Sequence, residues 1–339
     1  MRIIAIALTL LAVAAAPSWT VQQSGQSARL RGVSASSDRV VWASGSANTI
    51  LRSEDGGNTW KRLISPTTDR LDFRDIDAVS DTTAYLLSIG NGPLSRIYKT
   101  TDSGATWVLQ LANLIPEAFF DAMAFWDADH GIVVSDSVNG AFVIVRTDDG
   151  GQHWTRVVVD KLPPALPNEG AFAASGTNVA VFGTSQAWFG TGAAAKARVL
   201  RTADRGMTWQ IADTPLAAGP SAGIYSVAFR DAQNGVIVGG DYAKESAAVD
   251  NAAVTSDGGK TWTLVSGLGG FRSVVKHVPG SRSSFIAIGP LGSDLSTDDG
   301  RTWTPIAGPG FDTFSFAPGR QVGWGAGARG AVGRLDAQK

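Results

Sequence analysis

The chain is 339 residues long, carries 29 Lys and Arg against 30 Asp and Glu, and contains no cysteine. A net charge of −1 excludes the field that gathers nucleic acid, and the missing thiols exclude disulfides, thiolate metal sites and cysteine nucleophiles. With 40 glycines and only 17% charged residues, many short strands joined by tight turns are expected, hence an all-β fold.

In chain order, Met1 and Arg2 precede an apolar run from Ile3 to Val13 and the small residues Ala14, Ala15 and Ala16. This is the layout of a cleaved secretory signal. The run is shorter than the roughly 20 apolar residues of a spanning helix, and Pro17 ends it. Residues 1–16 are therefore expected to be a signal peptide, cut after Ala14 or Ala16. Residues 17–339 would form one exported domain, periplasmic or secreted and monomeric, with no membrane span; an uncleaved anchor is the other reading.

One octet then recurs six times, as SEDGGNTW, TTDSGATW, TDDGGQHW, TADRGMTW, TSDGGKTW and STDDGRTW. Its closing tryptophans, Trp60, Trp107, Trp154, Trp209, Trp262 and Trp303, are 47, 47, 55, 53 and 41 residues apart, a propeller-blade period. Asp55, Asp102, Asp149, Asp204, Asp257 and Asp298 are placed to accept hydrogen bonds from backbone N–H groups of their own turn. The glycine two residues on suits a turn with φ > 0. Each octet reads as a hairpin fastener with no metal role, since its spacing is not that of an EF-hand loop.

Four strands surround each octet. In the second blade these are expected at 73–80, 83–90, 96–101 and 106–111. After Trp303, FDTFSFAPG, QVGWGAG and AVGRL supply three strands of a further blade without a fourth. Trp19-Thr20-Val21-Gln22 resembles Trp262-Thr263-Leu264-Val265, so the N-terminus can provide that outer strand. The expectation is a seven-bladed β-propeller of four-stranded antiparallel blades. Its ring is closed non-covalently at Trp19, leaving no open sheet edge.

The S-x-D-x-G-x-T-W signature resembles the Asp-box, or BNR, repeat of sialidases and other propellers, where the box lies at the blade periphery between strands three and four. RLRGVSAS, VVWASG and the TDDGGxxW frame further resemble the proteins grouped with photosystem II stability and assembly factors. That resemblance covers the whole mature chain and implies a seven-bladed propeller binding partner proteins through arginine-rich surface. Members of the group are often labelled oxidoreductases, but no G-x-G-x-x-G strand–turn–helix unit is present here, and no cofactor is expected.

A ligand is expected where the innermost strands begin, at one mouth of the channel. Aligning those strands brings Arg31, Arg74, Phe120, Glu169, Ile224, Arg272 and Phe311 to one level. Gly32, Asp75, Asp121, Gly170, Tyr225, Ser273 and Asp312 form the next. Loops between strands two and three add Arg96, Asp136, Trp188, Phe189, Asp241, Tyr242, Lys244 and Arg329. The candidate binding set is Arg31, Arg74, Asp75, Asp121, Glu169, Tyr225, Asp241, Arg272 and Asp312. The three arginines can clamp a carboxylate or phosphate. The same charges also read as ion pairs holding blades in register.

Trp188-Phe189 reads either as an aromatic platform or as a buried pair. His130, His153 and His277 are too scattered for a metal site or triad. Two functions follow. One is a non-catalytic exported scaffold that binds a protein or a small polar ligand. The other is a glycan-acting enzyme, sialidase-like or a lyase, at the same mouth. The Phe-Arg-Ile-Pro segment and six blades of sialidases are both missing, which weighs against the second.

Overall fold

The computed structural model describes residues 17–337, so the expected signal peptide lies outside the described residues. Seven four-stranded antiparallel sheets form the ring. Blade 1 runs Leu30–Ala35, Val41–Gly45, Thr49–Ser53 and Lys61–Arg62. Blade 2 runs Asp72–Ala78, Ala84–Ile89, Arg96–Thr100 and Val108–Ala112. Its outer strand starts two residues later than expected because Thr106 is held by the turn, giving both its N–H and its hydroxyl to Asp102.

The octets fasten hairpins as their sequence suggests. In the first, Asp55 accepts the Thr59 N–H at 2.9 Å and its hydroxyl at 2.7 Å, while Ser53 Oγ accepts the Gly57 N–H at 2.8 Å. Gly57, Gly104, Gly151, Gly206, Gly259 and Gly300 all have φ between +79° and +84°, where a Cβ is disfavoured.

The octets also join neighbouring blades, a role their sequence does not announce. Strand two of one blade reaches the octet of the next: Tyr85 donates to the Gly150 carbonyl at 2.7 Å and the Trp188 indole to Gly258 at 2.9 Å. Trp188 and Phe189 are therefore both buried in the strand Gln186–Gly190, and no aromatic platform is formed there.

The last blade comprises Thr313–Phe316, Val322–Ala326, Ala331–Asp336 and, from the N-terminus, Ser18–Gln23. Trp19 pairs with Leu335 and packs on Phe311 and Phe314, with ring centroids 4.6 and 5.8 Å away. The core is a set of apolar layers between adjacent blades; one unites Phe142 of blade 3 with Phe189 and Leu200 of blade 4.

Blade 4 departs from the expected pattern. Its innermost strand is only Val179–Phe182, and the preceding residues, 171–178, cross the channel axis. Ser175 donates to the Ser273 carbonyl of blade 6 at 2.8 Å and accepts from Thr313 of blade 7 at 2.8 Å. Gly176 lies so close to Asp75 of blade 2 that a Cβ would sit 2.2 Å from its Oδ1. Small residues in A-A-S-G-T allow this approach. The segment plugs the channel.

Candidate functional site

The plug divides the channel into a cup of about 980 Å³ at the mouth and a lower chamber of about 360 Å³. Side chains enter the cup through one recurrent device. The first strands of blades 1, 2, 3 and 5 each carry a bulge at the mouth, at Arg31, Arg74, Asp121 and Tyr225. A bulge re-aims the extra residue, here toward the axis. These four side chains share a level, so Asp121 and Tyr225 stand one position off the alignment read from sequence.

Arg272 is on a different level. Its N–H bonds the Gly239 carbonyl of the preceding blade, as that of Phe311 bonds Gly289 and that of Ile224 bonds Thr191. All three are buried between blades. The Arg272 guanidinium is occupied by Asp294, at 2.7 and 2.6 Å, and by the Phe271 carbonyl. The arginine trio of the cup is instead Arg29, Arg31 and Arg74. Arg29 was legible: in Arg29-Leu30-Arg31 the period of two puts both arginines on one face.

Two of these arginines are engaged. Arg29 makes a bidentate pair with Asp312, both bonds 2.7 Å, which raises its pKa. Arg74 bonds Asp72 at 2.9 Å and the Ala173 carbonyl at 3.2 Å. Arg31, flanked by both, has no hydrogen-bond partner among the described residues. Burial, then repulsion from Arg74 and Arg29, brings its pKa down to about 10, so it stays charged at neutral pH.

Asp121 and Asp136, on blade 3, line the same cup. Asp121 is 2% exposed, and its Oδ2 is buried without a hydrogen-bond partner. Burial and then Asp136 push its pKa well up, while Arg74 pulls it down. Asp136 accepts the Ala171 N–H at 3.0 Å, and burial raises it to about 6. The cup is also lined by Phe172 and Tyr225, stacked at 4.0 Å, with Phe271 edge-on to Tyr225.

The other sequence candidates are held by protein partners. Glu169, 1% exposed, is locked by Arg198, by the Thr191 hydroxyl at 2.6 Å and by the Leu166 N–H at 2.8 Å. Asp241 caps a short turn, accepting from Ser221 and Ala243, and its pKa is lowered chiefly by the Ser221 bond. Asp75 lines the lower chamber with Asp77 and Lys276, and accepts the Met123 N–H at 2.8 Å. Of the candidate set, Arg31, Arg74, Asp121, Glu169, Tyr225 and Asp312 line the cup, Glu169 with its carboxylate already committed to Arg198. Phe172, Phe271 and Glu245 join them without any sequence signal.

Fold and site together define a seven-bladed propeller whose plugged channel leaves a one-sided cup lined by charged and aromatic residues. No protein-family model and no curated protein matches the sequence. Among solved structures the chain is similar to YCF48 bound to D1 peptide, with TM-score 0.67 and 17% identity over 93% of this chain and 96% of that one. It is also similar to YCF48 from Cyanidioschyzon merolae, at 0.63 and 18% over 93% and 98%. The GH74 xyloglucanase from Xanthomonas campestris gives 0.66 and 15% over 94% of this chain but 53% of the enzyme, so the chain spans about half its length. At these identities the likeness is one of fold.

Proposed function

We propose that the protein is an exported, non-catalytic binding propeller that receives a segment of a partner protein in its arginine-lined cup. Residues 1–16 deliver it to the periplasm or the cell exterior, and the six octets are structural Asp boxes of the kind seen in photosystem II assembly factor-like propellers. The observation carrying the reading is Arg31. A half-buried guanidinium that is flanked by two further arginines and has no hydrogen-bond partner among the described residues is poised to take up an anion. A similar fold occurs in YCF48, which has been solved with a D1 peptide bound.

Capture from the exported fraction of source cells tests this, using immobilised wild type and Arg31→Ala. A partner retained by the wild type and lost from the variant is expected; equal recovery by both refutes the role of the cup.

The second reading, a glycan-acting enzyme, draws on the carboxyl pair Asp121 and Asp136, where burial raises Asp136 to about 6, toward the range that suits a general acid. Release of new reducing ends from a glycan panel, abolished by Asp136→Asn, would establish it in place of the first.

A further inference from the structure

Among the described residues, once Arg29 is held by Asp312 and Arg74 by Asp72, the charged groups of the cup left without an ion-pair partner are Arg31 on blade 1, Glu245, and the carboxyl pair on blade 3. The pair is built by two bulges on adjacent strands. Between Phe120↔Ser135 and Ala122↔Val134 the first strand bulges at Asp121; between Val134↔Ile144 and Ser137↔Phe142 the second bulges around Asp136. Both carboxyls are thereby turned toward one wall of the cup.

We propose that the bound segment carries a basic group beside an acidic one, the acid docking on Arg31 and the ammonium or guanidinium docking on Asp121 and Asp136. This rests on the binding role proposed for the cup and names its ligand as a mixed-charge peptide rather than a purely acidic one. The buried Oδ2 of Asp121 lacks a donor, an uncommon state that a ligand donor would relieve.

Among the described residues, the arginines flanking the pair are hydrogen-bonded elsewhere. Arg74, facing Asp121 from blade 2, is engaged by Asp72 and the Ala173 carbonyl. From the blade 4 side, Arg198 is committed to Glu169. Phe119, whose carbonyl accepts the Asp136 N–H at 3.1 Å, lines the same cavity and can cover the methylene stem of a lysine or arginine. Burial raises the pKa of both acids, so an arriving cation, which favours their charged forms, shifts them toward releasing protons.

The test uses fluorescein-labelled nonapeptides carrying two Glu, two Lys, a Glu and a Lys at varied spacing, or only Gly and Ser, titrated with the full propeller at pH 7. A mixed-charge peptide is expected to bind about tenfold more tightly than the Glu peptide, the equivalent of one good charge contact. Asp121→Asn and Asp136→Asn should each erase that advantage and leave binding of the Glu peptide in place. Calorimetry in two buffers of different ionisation enthalpy should show proton release with the mixed peptide and none with the Glu peptide.

If the Glu peptide binds as tightly as any mixed one and both depend on Arg31, the mixed-charge inference fails while the cup remains the binding site. If the wild type binds none of the peptides, both fail.

Discussion

The Trp324 indole donates to the Gly56 carbonyl at 3.0 Å across 268 residues of sequence, tying strand two of the last blade to the first octet. Gln22 Nε2, on the N-terminal strand, meets the same carbonyl at 2.9 Å. The ring thus closes twice, through the strand pairing at Trp19 and through an octet that both partners grip.

Closure at this seam predicts that Trp19→Ala destabilises the whole ring by about 3 kcal/mol, the usual cost of truncating a packed tryptophan. Val21→Ala, on the same strand but 62% exposed, should change stability by less than about 0.5 kcal/mol. Urea denaturation of both variants measures this; equal effects would mean that the strand, not the Trp19 contact, governs closure.

Arginines that look alike in sequence should behave in opposite ways. Arg272→Ala leaves Asp294 buried without its cation, and a loss of roughly 3–5 kcal/mol is expected. Arg31→Ala removes no hydrogen bond or ion pair among the described residues and relieves repulsion from Arg74 and Arg29, so stability should be unchanged or slightly raised. Equilibrium unfolding separates the two, and a large loss for Arg31→Ala would mark it as a structural residue.

How far the sequence carried each conclusion depended on the range of the physics involved. The octets are local: Asp55, Gly57 and Thr59 act within one turn, so spacing alone revealed their job. Seven blades were legible because Trp19 repeats the pattern of Trp262. Levels within the cup were not, since bulges at Asp121 and Tyr225 shift the register by one and leave no local signature. That Glu169 and Arg272 are already paired was not legible, because their partners, Arg198 and Asp294, are 29 and 22 residues away. The plug at 171–178 was hidden because its hydrogen bonds go to blades 6 and 7, a tertiary choice that small residues permit but do not encode.

The lower chamber should tune stability with pH. Burial raises the pKa of Asp77 to about 6, partly offset by the Phe125 N–H and by Lys276. A carboxyl whose folded pKa exceeds its unfolded value of about 4 contributes stability that is complete below pH ~4 and lost as pH rises through 6. The wild type should therefore gain about 1–2 kcal/mol more than Asp77→Asn on going from pH 7 to 4.5. Parallel pH profiles from urea denaturation would contradict this.

Site-specific photo-crosslinking in the native host tests the central claim most directly, with p-benzoylphenylalanine placed at Tyr242 on the cup or at Met207 in an octet. Both positions are 52% exposed, so they differ in location and not in access. The account predicts a discrete protein adduct at Tyr242 that disappears when Arg31→Ala is added, and none at Met207. Adducts at Met207 alone, or a Tyr242 adduct indifferent to Arg31, would contradict it.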